Sequence, residues 1–279
     1  MQAGIHTMPA SVYHQDPAPA PSLSNSVLKT LLSKSPLHAR LMHPRLTPQE
    51  PREDEGKFDL GSAAHSLLLE GQDIIQVCHY DDWRTKAAKE DRAMAREAGR
   101  IPMLPHQHAE ANLMVEIARD YLARSVLGNL LADGKPEQTL IWQDEGTNIW
   151  CRGRLDWLTE DRSVILDYKT TAMSSPAQFC RSSMSAFGYD TQSAFYLRGM
   201  RAVQRVETEF VFLVQEDEAP YSCYLVQCAP SMQEVAEHKV QRGIDAWAAC
   251  LKTDNWPGYS EHIYHAEASA WQVEQELSA

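Results

Sequence analysis

Two strand-like segments joined by a short polar turn constrain this chain more than any other feature. Residues 148–158 and 163–169 alternate in character, and Thr159-Glu160-Asp161-Arg162-Ser163 between them has the polar composition of a hairpin connection. The first segment carries Gly153-Arg154-Leu155-Asp156, and the second reads Val164-Ile165-Leu166-Asp167-Tyr168-Lys169. Side chains two apart on a strand share a face, so Asp167 and Lys169 point the same way. A hairpin folded about its middle sets Asp156 roughly opposite Asp167. Two carboxylates and an ammonium then converge.

Those residue types suit one kind of chemistry. Mg²⁺ takes oxygen ligands, commonly one or two carboxylates together with water and a substrate phosphate. A bound cation acidifies its water and neutralises charge that develops on a phosphate. A lysine beside it adds positive charge at the reacting centre. An Asp-x-Lys at a strand end is, taken singly, more often a surface pair, so the neighbouring elements matter.

Two of them add weight. Gln192 and Tyr196 stand four apart and share one face of a helix read over 190–202. Upstream, Gly61-Ser62-Ala63-Ala64-His65 runs into Leu67-Leu68-Leu69, an apolar helix with one histidine near its start. Each piece has an ordinary structural explanation. Their order is the informative part: His65, then Gly-x-x-Asp, then Asp-x-Lys, then Gln-x-x-x-Tyr.

In that order the chain resembles the PD-(D/E)xK nuclease superfamily in its RecB-like branch, and within it the RecE-type (exodeoxyribonuclease VIII-like) group of phages and prophages. Further landmarks are Leu23-Ser24-Asn25-Ser26, Ser35-Pro36, Trp83-Arg84-Thr85-Lys86, Asp167-Tyr168-Lys169-Thr170-Thr171, Tyr189, Pro220-Tyr221 and Trp256-Pro257-Gly258-Tyr259. The resemblance implies an α/β fold with a central mixed sheet flanked by helices. It implies His65, Asp156 and Asp167 as metal ligands, with the Tyr168 backbone carbonyl completing the shell. Lys169 becomes the catalytic lysine, and Gln192 and Tyr196 the pair beside the metal that contacts substrate. The second acid is aspartate where many members carry glutamate. Glu137 is a possible accessory acid.

The implied activity is Mg²⁺-dependent digestion of double-stranded DNA from its ends, with Mn²⁺ able to substitute. The RecE type adds 5′-to-3′ processivity, a single-strand annealing partner in recombination, and a homo-tetrameric ring. Alternatives are a single-strand or structure-selective nuclease of the same superfamily, and a catalytically silent DNA-binding or assembly module.

Charge bears on this reading. The net charge of −12 argues against a broad basic nucleic-acid face, so any DNA path must be local. Arg152 and Arg154 share strand parity with Asp156 and are expected to aim at the metal and contact DNA. Other basic groups are Arg84 to Arg100 on a polar helix, and Arg198, Arg201 and Arg205 after the Gln-x-x-x-Tyr motif. The six cysteines contain no Cys-x-x-Cys pair, so neither a structural zinc nor an iron–sulfur cluster is expected, and reduced thiols in a cytoplasmic protein are. No apolar run approaches the roughly 20 residues of a membrane helix.

The expected layout is a flexible, proline-rich lead over 1–21 and a single domain over 22–279. That domain divides into a mainly helical part (22–135), a sheet core with the hairpin (136–252) and an aromatic tail packed on the body (253–279). Helices are expected at 24–33, 62–69, 82–98, 106–124, 125–132, 190–202 and 231–252. Strands are expected at 138–143, 148–158, 163–169, 206–215 and 220–228.

Overall fold

The computed structural model describes residues 1–48, 60–71, 74–173, 175–204 and 206–277. Its elements in chain order are β1 (Gly4–Thr7), α1 (Ala10–His14), β2 (Leu23–Ser24), α2 (Asn25–Ser33), α3 (Pro36–Met42), α4 (Leu60–Leu69), β3 (Ile75–Val77), α5 (Lys86–Glu97), β4 (Ile101–Met103) and α6 (Pro105–Arg124). There follow β5 (Gly134–Gln143), β6 (Trp150–Thr159), β7 (Val164–Thr171), α7 (Pro176–Gln178), a π-helical turn (Phe179–Ser183), α8 (Met184–Ala186) and α9 (Tyr189–Val203). The chain closes with β8 (Glu209–Glu216), β9 (Cys223–Val226), α10 (Pro230–Thr253) and α11 (Ala270–Leu277).

The main sheet runs β1-β5-β6-β7-β8-β9, with β2 attached to β6. It is mixed: β7 and β8 are parallel, joined through α9, while β5-β6-β7 and β8-β9 are antiparallel. The strands of β7 and β8 are apolar on both faces, as a sheet covered on both sides requires. Phe210, Phe212 and Val214 of β8 enter one core with α2, α9 and α10, whereas Val211 and Leu213 enter a second core with α4 and α6. Helix starts follow ordinary capping chemistry: Ser24 accepts from the Val27 amide at the head of α2, and Pro105 and Pro230 occupy first turns.

One edge of β6 is divided between two neighbours. Its far edge pairs with β5 along its length except at Asp156, but its near edge pairs with β2 at Cys151 and Arg152 and with β7 only at Trp157 and Leu158. Between them, residues 153–156 have no strand on that near edge among the described residues. The alternation of faces also slips here, since Leu155 and Leu158 both enter the α9 core while Trp157 enters the α4 core. Asp156 sits at the slip, in a fork open toward both faces of the sheet.

Three expectations are corrected. Residues 1–21 are not a loose lead: β1 pairs with β5, Tyr13 is buried, and Asp16 is buried at the centre of an ion-pair network. Pro17, Pro19 and Pro21 shape an ordered connection. The tail packs only through its first part: the Trp256 ring stands edge-on to Trp247 at 5.0 Å, the Pro257 carbonyl accepts from the Leu37 amide at 3.1 Å and the Tyr259 ring lies 5.3 Å from that of His38, whereas Tyr264 and Trp271 are 71% and 67% exposed. Residues 125–132 form turns and a short 3-10 segment (Leu130–Ala132) instead of a helix.

Candidate active site

The fork in the sheet explains how residues from opposite faces meet. The β6–β7 ladder ends at Trp157–Leu166, and the next register position sets Asp156 across from Asp167. There the strands part, and the Tyr168 amide donates to the Asp156 carboxylate (3.1 Å) instead of to a backbone carbonyl of β6. From the α4 side, His65 Nε2 reaches the same Asp156 Oδ2 at 3.0 Å. From the α9 side, Gln192 donates to Asp167 Oδ2 at 2.6 Å, and the Lys169 ammonium pairs with Asp167 Oδ1.

Glu137 completes the group. It stands opposite Asp156 in the β5–β6 register, where the pairing skips it, and its backbone is left-handed at φ 55°. A non-glycine residue held there is strained by about 1–3 kcal/mol, a cost retained only where surroundings fix it. Arg154 fixes it: its guanidinium pairs with the Glu137 carboxylate and donates to the Met8 carbonyl at 3.1 Å.

The electrostatics follow from crowding carboxylates in a largely buried slot. Burial, reinforced by the Asp156 charge, pushes the Asp167 carboxyl up to about 6. Burial acts the same way on Asp156, but the Lys169 charge and the His65 hydrogen bond outweigh it and hold that carboxyl below its ordinary value. Burial would lower His65, yet its bond to Asp156 keeps it raised. At Glu137 burial prevails and the carboxyl is raised.

This donor set fits a divalent cation. One ligand atom each from His65, Glu137 and Asp156 lies within 4.8 Å of the others. The adjoining cavity, about 400 Å³, is lined by Gly61, His65, Tyr168, Lys169, Thr170 and Tyr189. Asp167 lies beside the cluster with both carboxylate oxygens engaged, by Lys169 and Gln192.

The match to protein families decides the assignment. Residues 24–268 match the model of a PDDEXK-like domain of unknown function, DUF3799. The chain belongs to this PDDEXK-like family. Its α/β fold, a mixed sheet flanked by helices, is the PD-(D/E)xK fold. Among solved structures, a candidate exonuclease from Eubacterium rectale superposes with a TM-score of 0.59 and 12% identity, over 98% of this chain and 100% of its own. An alkaline exonuclease from Laribacter hongkongensis is more distant, with a TM-score of 0.29 and 13% identity over 68% of this chain and 91% of its own. No curated protein matches the sequence.

In this PDDEXK-like chain several side chains lie elsewhere than strand parity suggested. Arg152 does not aim at the metal cluster. It is 3% exposed, pairs with Asp16 at 3.2 Å and donates to the Ser22 carbonyl and hydroxyl, both at 2.7 Å. Arg154 is turned to Glu137 and the N-terminal segment. Neither presents a free guanidinium to DNA, because α1 covers this part of the sheet. Tyr196 is buried against Gly153, where a Cβ would fall 2.7 Å from its ring, and its hydroxyl takes a backbone hydrogen bond from Arg154. It fills the strandless stretch of β6. Arg198 and Arg201 pair with Asp144 and Glu237. Arg205 lies outside the described residues.

Gly61 is the residue whose role the sequence hid. It lies one helical turn before His65, on the face of α4 that meets β7. A Cβ there would approach Thr170 Oγ1 to 2.4 Å. The absent side chain lets α4 sit close enough for His65 to reach Asp156. Gly61→Val is therefore expected to lower stability by about 1–3 kcal/mol through overpacking. Thermal unfolding measures this, and Gly61→Val combined with Thr170→Ala should recover most of the loss; no recovery would place the strain elsewhere.

Proposed function

We propose that this chain is a Mg²⁺-dependent deoxyribonuclease that digests double-stranded DNA from its ends. The observation that supports this best is the meeting of His65, Glu137 and Asp156 in one donor cluster beside the Asp167–Lys169 pair, within a PDDEXK-like chain. In this reading His65, Asp156, Asp167 and the Tyr168 backbone carbonyl hold the cation, with Glu137 as accessory acid. When bound, the ion supplies an acidified water and positive charge for the phosphate undergoing attack. Lys169 holds Asp167 ionised and adds a cation at the reacting phosphate. Gln192 fixes the Asp167 carboxylate. Tyr196, buried behind Gly153, supports the fork from within and does not touch DNA.

The RecE-type order of motifs supports the finer proposal of processive 5′-to-3′ digestion. It leaves 3′ single strands for an annealing protein and works as a ring-shaped tetramer, with Mn²⁺ replacing Mg²⁺. The deciding assay uses linear duplex DNA labelled at either end and a closed circular control. Label should be released from the 5′ end first, with Mg²⁺ or Mn²⁺, and removing the metal with EDTA should stop release. Cutting of the circle would favour an endonuclease. An inert purified protein with intact fold would favour a silent binding module.

A further inference from the structure

A second cavity adjoins the site, and its charges are unmatched. It has a volume of about 260 Å³, and its polar lining includes Lys29, Ser185, Thr191, Lys239 and Arg242. Lys29 is half-buried on α2, and its ammonium has no carboxylate partner among the described residues. Its stem lies along Gly188, which is left-handed at φ 64° and where a Cβ would sit 3.2 Å from the lysine Cδ. Arg242 is exposed and unpaired among the described residues, and of the three cations only Lys239 has an acidic partner, Asp190 at 2.6 Å. Three cations against one carboxylate stand out in a chain of net charge −12. At the rim, Phe187 is 59% exposed with its ring 5.7 Å from Tyr189.

Tyr189 lines the first cavity, next in sequence to Gly188 of the second. Lys29 and Lys169 lie over its ring, at 5.7 and 5.6 Å from the centroid. Burial, and then the Lys169 charge, hold the Lys29 ammonium below its ordinary value. The Asp167 and Asp190 charges offset this only in part, so a further negative group beside the two ammoniums would be favourable. DNA carries a phosphate about every 3.4 Å of helix axis on each strand, so a strand lying across Tyr189 would bring separate phosphates to Lys29 and Lys169.

We propose that the Lys29–Lys239–Arg242 cavity binds a backbone phosphate of the DNA strand one or two nucleotides from the scissile bond, with Phe187 as the stacking face for the adjoining base. This rests on the nuclease reading above. The size agrees: the cavity is below the roughly 300–1,000 Å³ of small-molecule clefts and suits a phosphate, leaving the base outside on Phe187.

The test is digestion and binding of duplex DNA by the purified full chain. Lys29→Met keeps the stem against Gly188 and removes the charge; Arg242→Ala changes only an exposed side chain and keeps the test open if the first variant unfolds. Each should raise KM about tenfold with kcat within about twofold, and lower the slope of log affinity against log salt by about 1. Phe187→Ala should weaken binding about tenfold and Phe187→Trp should restore it. A methylphosphonate at the neighbouring linkage should weaken wild-type binding and leave Lys29→Met binding unchanged. Wild-type KM and salt slope in both Lys29→Met and Arg242→Ala would overturn the phosphate site while leaving the nuclease reading standing. A folded wild-type protein that neither binds nor digests DNA would overturn both.

Discussion

Lys169→Ala is expected to reduce metal-dependent DNA digestion by at least about 10²–10³-fold, the usual cost of removing a preorganised charge from a reacting centre. The structure gives this residue two duties. Its ammonium pairs with Asp167 and lies over Tyr189, which lines the first cavity. It also opposes the burial and the Asp156 charge that push the Asp167 carboxyl up to about 6. Without it Asp167 rises further, so at neutral pH more of it is protonated and a poorer ligand. Metal affinity measured by calorimetry should therefore fall in the variant and recover as pH is raised, because a group with a raised carboxyl ionises only at higher pH. Turnover should not recover. Wild-type digestion by folded Lys169→Ala would remove the lysine from the chemistry.

Asp16→Ala should cost about 3–5 kcal/mol of stability, the penalty for stripping one partner from a buried ion pair. Asp16 and Arg152 side chains are 0% and 4% exposed. Asp16 also accepts from the Ser22 amide and hydroxyl at 2.9 and 2.6 Å and contacts His43 at 3.3 Å. Urea unfolding provides the measurement, and a loss below about 1 kcal/mol would show that Arg152 finds other partners. Burial alone would raise the Asp16 carboxyl, but the His43 bond and the Arg152 charge hold it below its ordinary value. A depressed carboxyl contributes stability above its unfolded pKa and loses it as pH falls through the folded one. Wild type should therefore lose stability in acid below about pH 4 by an amount that Asp16→Ala no longer shows.

What could be read from residue order was the part encoded locally. The 148–158 and 163–169 strands, the Ser24 cap and the helices bearing His65 and Gln192 rest on period and capping, and the structure has them within a few residues. The site followed because Asp156 and Asp167 are joined by one hairpin. The errors share a cause. Strand parity sends Arg152 to DNA, and proline content makes residues 1–21 a loose lead, because neither sequence neighbourhood names the other, yet Asp16 and Arg152 hold each other across the fold. Strand parity gave the face of Arg152 correctly but not what covers that face. The two-residue β2 and the three-residue β3 and β4 are too short to show a period. Tail aromatics are equally mute, since Trp256 packs and Trp271 does not.

The divided edge of β6 bears on when the site comes into being. β7 follows β6 directly in the chain, while β2, which takes the other part of that edge, comes from near the N-terminus. Pairing so distant in sequence is entropically slow compared with closing a hairpin. Asp156 and Asp167 are thus brought together early, by a local turn, whereas the support of α2, Tyr196 and the N-terminal strap is added last. A chain caught midway would hold its acidic residues without the scaffold that aligns them, so cutting competence should emerge only as the final docking step ends, in a refolding time course later than the appearance of sheet.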